Sequence, residues 1–314
     1  MIQIEEITRF DAFEALSSEW SDLLDRCPTS TPFQSPEWIL PWWRHFGGGS
    51  LWVLALRREG RLVGLAPFFI HPVGEKGIKQ VALIGTGITD YLDLILQPDA
   101  AFGGTEAILN RLALHRAEWD LCDFQELRPS SFLLAFPASN GLQLRSGFQE
   151  VCPALSLPDT QGEFQIKFSP EHRRNIRNAR KRLEAAGELA IETASEATLP
   201  EFLEALFALH RARWEERRLP GVLADSAVQA FHREAAAGFQ KRGCLRLYAL
   251  RSGGKIAAAL YAFAWRGRMY GYLGGFRPEM ARFSPGTVLI DHVLEAAIGE
   301  KLREFDFLRG REAY

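Results

Sequence analysis

Apolar and polar positions along this chain follow two rhythms, and the order in which they alternate repeats. Leu51 to Arg57 and Arg61 to Ile70 read as strands around the turn Arg58-Glu59-Gly60. Gln80 to Ile84 and Asp90 to Leu96 read as further strands, Thr105 to Glu118 as a helix, and Trp119 to Leu127 as a strand. Much later, Leu245 to Arg251 and the run after Lys255 flank a second turn at Ser252-Gly253-Gly254. The strand Met269 to Phe276, a helix opening after Ser284 and the strand Glu304 to Leu308 follow. Residues 54–62 align with 248–256 without a gap. Asp123 follows Thr105 by 18 residues, and Asp306 follows Thr287 by 19. This is the signature of a diverged internal repeat of strand, strand, strand, helix and strand.

Helical spacing fills the intervals. Asp11 to Asp25 places Phe13, Leu16, Trp20, Leu23 and Leu24 on one side. Ser35-Pro36-Glu37 opens another helix, whose Trp38, Trp42 and Trp43 are expected to pack inside. Between the copies, Ser169-Pro170-Glu171 caps a helix with the stripe Ile176, Ala179, Leu183 and Ala186, stopped by Gly187. Leu203, Phe207, His210 and Trp214 share one stripe of the next, and Asp225 to Gln240 forms a third. The pattern predicts an α/β (α+β) chain of two tandem domains, 1–150 and 151–314. Each is a mixed, mostly antiparallel sheet flanked by helices, with a helical insert between the copies.

Composition narrows the function classes. A net charge of -2 in 314 residues argues against a broad nucleic-acid surface. Cys27, Cys122, Cys152 and Cys244 are too dispersed for a zinc site or a disulfide framework, so no metal is expected and a reducing compartment is. Met1 to Glu6 does not read as a signal peptide, and the apolar run Ile256 to Trp265 is too short to span a bilayer. A cytoplasmic location is expected.

Two stretches carry candidate chemistry. Ser284 is placed to cap a helix, Pro285 suits its first position, and Gly286 permits close approach to the backbone. The unpaired amides and partial positive charge of such a helix start suit an anion. Second, the helix after Ser169 carries Arg173, Arg174, Arg177, Arg180, Lys181 and Arg182, a density of charge that suits either a solvated face or an anionic partner. Gly85-Thr86-Gly87 lacks the third glycine of a dinucleotide fingerprint.

Several segments resemble the GNAT superfamily of acyl-CoA N-acyltransferases, and within it the two-domain branch of FemAB-like aminoacyl transferases and the GNAT-like proteins of cellulose and exopolysaccharide gene clusters. They are Ser169 to Leu183, His210-Arg211-Ala212-Arg213-Trp214, Tyr270 to Phe276, Ser284-Pro285-Gly286-Thr287 and Phe305 to Tyr314, with Asp90-Tyr91-Leu92-Asp93 as a counterpart in the first half. The superfamily's usual pyrophosphate loop reads Q/R-x-x-G-x-G/A, whereas Gly286 here is a single glycine after a proline.

The resemblance implies attack of an amine on an acyl thioester, with acetyl-CoA or another acyl-CoA as co-substrate. It implies that the strand Met269 to Phe276 splays from its neighbour and offers a backbone amide to the thioester, with Gly274 allowing close approach. Gly286, Thr287 and Val288, with Ser284 and Arg282, would hold the pyrophosphate. Catalytic candidates are Tyr272, Asp306, Glu312 and Tyr314, with Asp306 or Glu312 as base and Tyr314 protonating the thiolate. Arg309 is a further polar group of this cleft. Asp90, Tyr91, Asp93, His210, Trp214 and Arg173 are candidate substrate contacts, although His210 also fits a hydrogen-bonded core histidine. The acceptor implied is a small amine or glycan precursor such as an amino sugar. Two other readings stand beside this one: a FemAB-like transferase drawing on aminoacyl-tRNA, and a GNAT-fold binding protein of polysaccharide assembly without turnover.

Overall fold

The computed structural model describes residues 2–136, 141–216, 218 and 221–310. The chain forms two compact units, Met1–Gln149 and Glu150–Tyr314.

The first unit runs β1 (Gln3–Ile7), α1 (Phe10–Ala15), α2 (Ser17–Asp25), α3 (Pro36–Phe46), β2 (Ser50–Arg58), β3 (Arg61–Val73), β4 (Ile78–Leu83), β5 (Ile95–Leu96), α4 (Ala101–Leu114), β6 (Leu121–Cys122) and α5 (Phe132–Ala135). Its sheet has the order β1-β2-β3-β4-β6, with β5 on β3. All pairs are antiparallel except β4 with β6.

The second unit runs β7 (Ala154–Ser156), α6 (Gln161–Lys167), α7 (Pro170–Ala186), β8 (Leu189–Thr193), α8 (Leu199–Glu216), α9 (Ser226–Lys241), β9 (Leu245–Ser252), β10 (Lys255–Trp265), β11 (Arg268–Phe276), α10 (Pro285–Gly299) and β12 (Glu304–Asp306). Its sheet is β7-β12-β11-β10-β9-β8, again with one parallel pair, β11 with β12. The succession β2-β3-β4-α4-β6 therefore recurs as β9-β10-β11-α10-β12, and in both the last strand lies parallel to the third. The two hairpins close identically. Glu59 and Gly60 have φ of 53° and 78°, and Gly253 and Gly254 have 58° and 77°. Two positive φ values in a two-residue turn match the right-handed twist of the strands they join.

The structure revises four sequence expectations. The helix over 11–25 is two helices that part at Leu16 (φ −72°, ψ −9°), whose N–H bonds the Phe13 and Glu14 carbonyls. Asp90 to Leu96 pairs as a strand only at Ile95 and Leu96, because the Leu92 amide goes to the Glu126 carbonyl (3.0 Å) and the Leu94 amide to the Asp93 carboxylate (2.8 Å). Trp119 to Leu127 pairs only at Leu121 and Cys122. The helix expected over Thr105 to Glu118 runs instead from Ala101 to Leu114 and includes Gly103 and Gly104 in its first turn. A Cβ on Gly104 would stand 2.9 Å from a Leu96 methyl, so the glycine lets α4 press onto the sheet. Trp38 and Trp42 lie in the core, as the apolar pattern suggested.

In the second unit, one sheet face carries Tyr261 and Phe263 against His232 and Phe239 of α9. The other carries Leu260, Ala262, Met269 and Phe305 against Val288, Leu289 and Val293 of α10 and Ala179 and Leu183 of α7. The sheet thus separates α9 from α7 and α10.

Candidate functional site: a cleft where two strands part

β11 pairs with β12 at three positions only, Arg268↔Glu304, Met269↔Phe305 and Tyr270↔Asp306. β12 ends there while β11 continues to Phe276. On its other edge β11 carries a bulge: pairing with β10 passes from Ala262↔Gly271 to Tyr261↔Leu273, leaving Tyr272 as the extra residue. A cleft of about 290 Å³ occupies the parting. Arg213 of α8 borders it from one side, and His172 and Ile176 of α7 with Gly286, Thr287 and Asp291 of α10 border it from the other. Tyr272, Leu273 and Gly274 supply the strand between them.

The glycines of β11 have different reasons. A Cβ on Gly275 would lie 3.0 Å from the His210 amide nitrogen and the Leu209 carbonyl carbon, so α8 crosses the strand at backbone distance. A Cβ on Gly271 would lie 2.9 Å from the Phe305 ring. Gly274 lines the cleft, and its nearest obstacle is a Leu260 methyl at 3.3 Å.

At the helix start, Ser284 occupies the cap position in the left-handed region (φ 53°, ψ 49°), and its hydroxyl does not cap. That corrects the expected side-chain cap: the turn of 278–283 delivers the chain in a conformation that points the hydroxyl elsewhere. The Val288 N–H already bonds the Ser284 carbonyl (3.2 Å) as the first helical bond, and Val288 is buried. The three-amide cradle therefore reduces to Gly286 and Thr287, both of which line the cleft. Arg282 is exposed, its guanidinium 4.6 Å over the Phe283 ring, away from the cleft lining.

Of the catalytic candidates, Tyr272 lines the cleft with its ring near those of His232 (5.6 Å) and Tyr261 (5.8 Å). Asp306 is buried at the end of β12, where its Oδ1 accepts the Leu308 amide at 2.8 Å and shapes the strand's exit. Glu312 and Tyr314 lie outside the described residues. Arg309 is exposed and does not line the cleft.

His210 is buried and does not line the cleft. Its Nε2 accepts the Trp214 indole N–H at 2.9 Å. Burial, then the Arg213 charge, lowers its pKa to about 4. Gly221 (φ 67°) closes on the pair: a Cβ there would stand 2.7 Å from Trp214 Cγ and 2.9 Å from His210 Cε1. Arg173 donates from Nη1 to the Gln165 carbonyl at 2.6 Å, joining α6 to α7.

Asp90, Tyr91 and Asp93 belong to the first unit. Asp90 is buried. Asp93 accepts the Ser131 hydroxyl at 2.7 Å, and burial lifts its pKa to about 6 against the pull of Ser131, the Leu94 amide and Arg128. Arg128 lies 5.7 Å over the Tyr91 ring.

Sequence reasoning missed His172, Arg213 and Asp291. Asp291 had a signal, because it follows Thr287 by four residues and so shares its helix face. Burial, then the Glu295 charge, raises its pKa to about 6, opposed by His172 and Arg180. Among the described residues no three His, Cys, Asp or Glu side chains group as a metal site, and no helix is long and apolar enough to cross a membrane.

Residues 170–314 match the family model of the acetyltransferase (GNAT) domain. FemX superimposes with a TM-score of 0.65 at 12% identity, over 99% of this chain and 90% of FemX. The C-terminal domain of a putative lysylphosphatidylglycerol synthetase from Agrobacterium fabrum gives 0.60 at 13%, over 96% and 78% of the two chains. L-PGS from Bacillus licheniformis gives 0.54 at 13%, over 95% and 78%. At such identities the likeness is one of fold. No curated protein matches the chain in sequence.

Proposed function

We propose that this chain, a GNAT-superfamily protein of FemX-like two-domain fold, is an N-acyltransferase that moves an acyl group from an activated donor to an amine. The observation that carries the reading is the parting of β11 from β12, which opens a cleft bordered by helices from both sides of the sheet. Two substrates can then reach one reacting centre within it, and holding both in line removes much of the entropic barrier.

The donor proposed first is acetyl-CoA or another acyl-CoA, with its diphosphate on the amides of Gly286 and Thr287. Backbone N–H groups of β11 beyond Gly271, no longer paired with β12, are donors for the oxyanion of the tetrahedral intermediate. Tyr272, at the bulge, orients the acyl group or the leaving sulfur. An alkyl amine with a pKa of ~10.4 is neutral in only about one molecule in a few thousand at pH 7, so the acceptor's proton has to leave through a side chain or water of the cleft. The acceptor proposed is a small amine, an amino sugar of a polysaccharide or envelope precursor being one such compound.

Calorimetric titration with coenzyme A and acetyl-CoA, beside Gly286→Glu, tests the donor. A Cβ at Gly286 already meets the Phe276 ring at 3.3 Å, and the added carboxylate repels phosphate. Micromolar binding lost in the variant supports the acyl-CoA reading; absence of binding to both ligands sinks it.

A second reading, an aminoacyl-tRNA donor, is favoured by α7. The helix that lines the cleft with His172 and Ile176 also exposes Arg174, Arg177, Arg180, Lys181 and Arg182, charges placed to follow a phosphate chain.

A further inference from the structure

Asp291 stands in the second turn of α10, on the face that Thr287 turns to the cleft. The cleft it lines is largely apolar, through Phe168, Ile176, Leu260, Phe276, Ile290 and Leu294, with His172, Arg213, Tyr272 and Thr287 as further polar members. The carboxylate is half-buried and makes no hydrogen bond or ion pair with any described residue. The charged groups nearest it are committed elsewhere, and Arg213 borders the cleft from the α8 side, where its charge acts on His210. Glu295, one turn on, accepts Gln165 Nε2 at 3.1 Å. His172 stacks on Phe168, with centroids 4.7 Å apart and planes 21° apart. Arg180 pairs with Glu184 at 3.4 Å. An anion partly withdrawn from water and left uncompensated in an apolar wall is costly, and the upward shift of its pKa expresses the same cost. A ligand that brings a positive nitrogen removes it.

We propose that Asp291 is the ammonium-binding group of the cleft, so that the ligand lodged between α7 and α10 carries a protonated primary amine on an apolar skeleton. One carboxylate with apolar flanks fits a single ammonium; a divalent cation needs several oxygen donors, which the described residues of this wall do not present. The inference rests on the transferase reading for its place in a reaction and deepens it. The ammonium belongs to the amine acceptor, docked before it loses its proton, or to the α-amino group of an aminoacyl donor. Acetyl-CoA itself offers no such group.

The test uses the full chain, methyl-labelled for NMR, titrated with alaninamide and N-acetylalaninamide at pH 7.5. Wild type is expected to bind alaninamide saturably in the millimolar range and to ignore its N-acetyl form. Asp291→Asn, with an unchanged melting temperature, is expected to bind alaninamide at least ~10-fold more weakly, and Asp291→Glu to recover part of the loss. Equal binding of the two amides by wild type, or binding by Asp291→Asn as tight as wild type, overturns the proposal. If Asp291→Asn does not fold, the wild-type preference between the two amides decides alone. In transfer assays, a raised acceptor KM in Asp291→Asn assigns the ammonium to the acceptor, and a rise confined to the donor KM assigns it to an aminoacyl donor. Asp291-dependent amine binding without turnover on any donor would sink the transferase reading while the amine site stood.

Discussion

The indole N–H of Trp214 donates to Nε2 of His210, one helical turn earlier on α8, at 2.9 Å. An Nε2 that accepts carries no proton, so the imidazole is neutral with its hydrogen on Nδ1, and the lowered pKa keeps it so at neutral pH. Trp214→Phe removes the donor and leaves a buried acceptor unsatisfied. We expect a loss of about 1–3 kcal/mol in denaturant unfolding. In nitrogen NMR the His210 tautomer should shift from one form towards a mixture. An unchanged tautomer would mean that another contact fixes the ring.

His210 and the fully buried His232 both titrate well below the ordinary histidine value, His232 at about 3 because of burial and the neighbouring His210. The unfolded chain, with ordinary histidines near 6.5, therefore takes up protons that the folded chain refuses. The contribution is full above pH ~6.5 and is lost as the pH falls from there towards 4 and 3. For His232 the loss is about 1.4 kcal/mol for each pH unit in that window. His232→Phe should flatten the decline of melting temperature between pH 6.5 and 4; a parallel decline in both proteins counts against this account.

Gly275 lies where α8 crosses β11. Gly275→Ala places a methyl carbon 3.0 Å from backbone atoms of Leu209 and His210, which cannot swing aside as a side chain would. Overpacking of this kind costs about 1–3 kcal/mol. Gly243→Ala is a poor control because of its positive φ, whereas Gly299→Ala, in α10 with open space around it, should cost nothing or stabilise slightly. The difference between the two alanine variants in thermal unfolding is the measurement.

Tyr272→Phe keeps the aromatic packing against His232 and Tyr261 and removes one hydroxyl from the cleft. If that hydroxyl orients the acyl group or the leaving sulfur, kcat should fall by about 10²–10⁴-fold with little change in melting temperature. A kcat within a factor of two of wild type would remove Tyr272 from the chemistry.

Replacing Arg174, Arg177 and Lys181 by glutamine separates the two donors. Under the aminoacyl-tRNA reading, RNA affinity falls and its logarithmic dependence on salt becomes shallower by about three contacts. Under the acyl-CoA reading, the triple variant acetylates its acceptor at the wild-type rate.

Much of the fold was legible because local chemistry and topology agree. The turns at Gly60 and Gly254 announce the two hairpins, and Ser169 does cap α7, accepting the His172 amide at 3.1 Å. Asp90 to Leu96 misled because its alternation imitates a strand while its amides serve a turn. The helix start at Pro285 was legible too, but which of its amides remain available depends on the left-handed Ser284, a consequence of the turn before it. His172, Arg213 and Asp291 meet at the cleft only because β11 and β12 part, and that parting is a tertiary event with no local signature.

The first unit repeats the parallel pair that precedes the cleft, with β4 beside β6, yet there the chain laces across the seam: Leu92, in the loop after β4, bonds Glu126, just beyond β6. Of two seams with the same strand order, one is bridged and the other parts. In hydrogen exchange the Leu92 amide should be among the slowest of its unit, while the amides of β11 beyond Gly271 that face the opening trade their hydrogens quickly until a ligand fills it. The Leu92–Glu126 bond closes, within the first copy, a seam equivalent to the one that the second leaves to the cleft, so a molecule of the kind proposed for that cleft would find the first seam already taken.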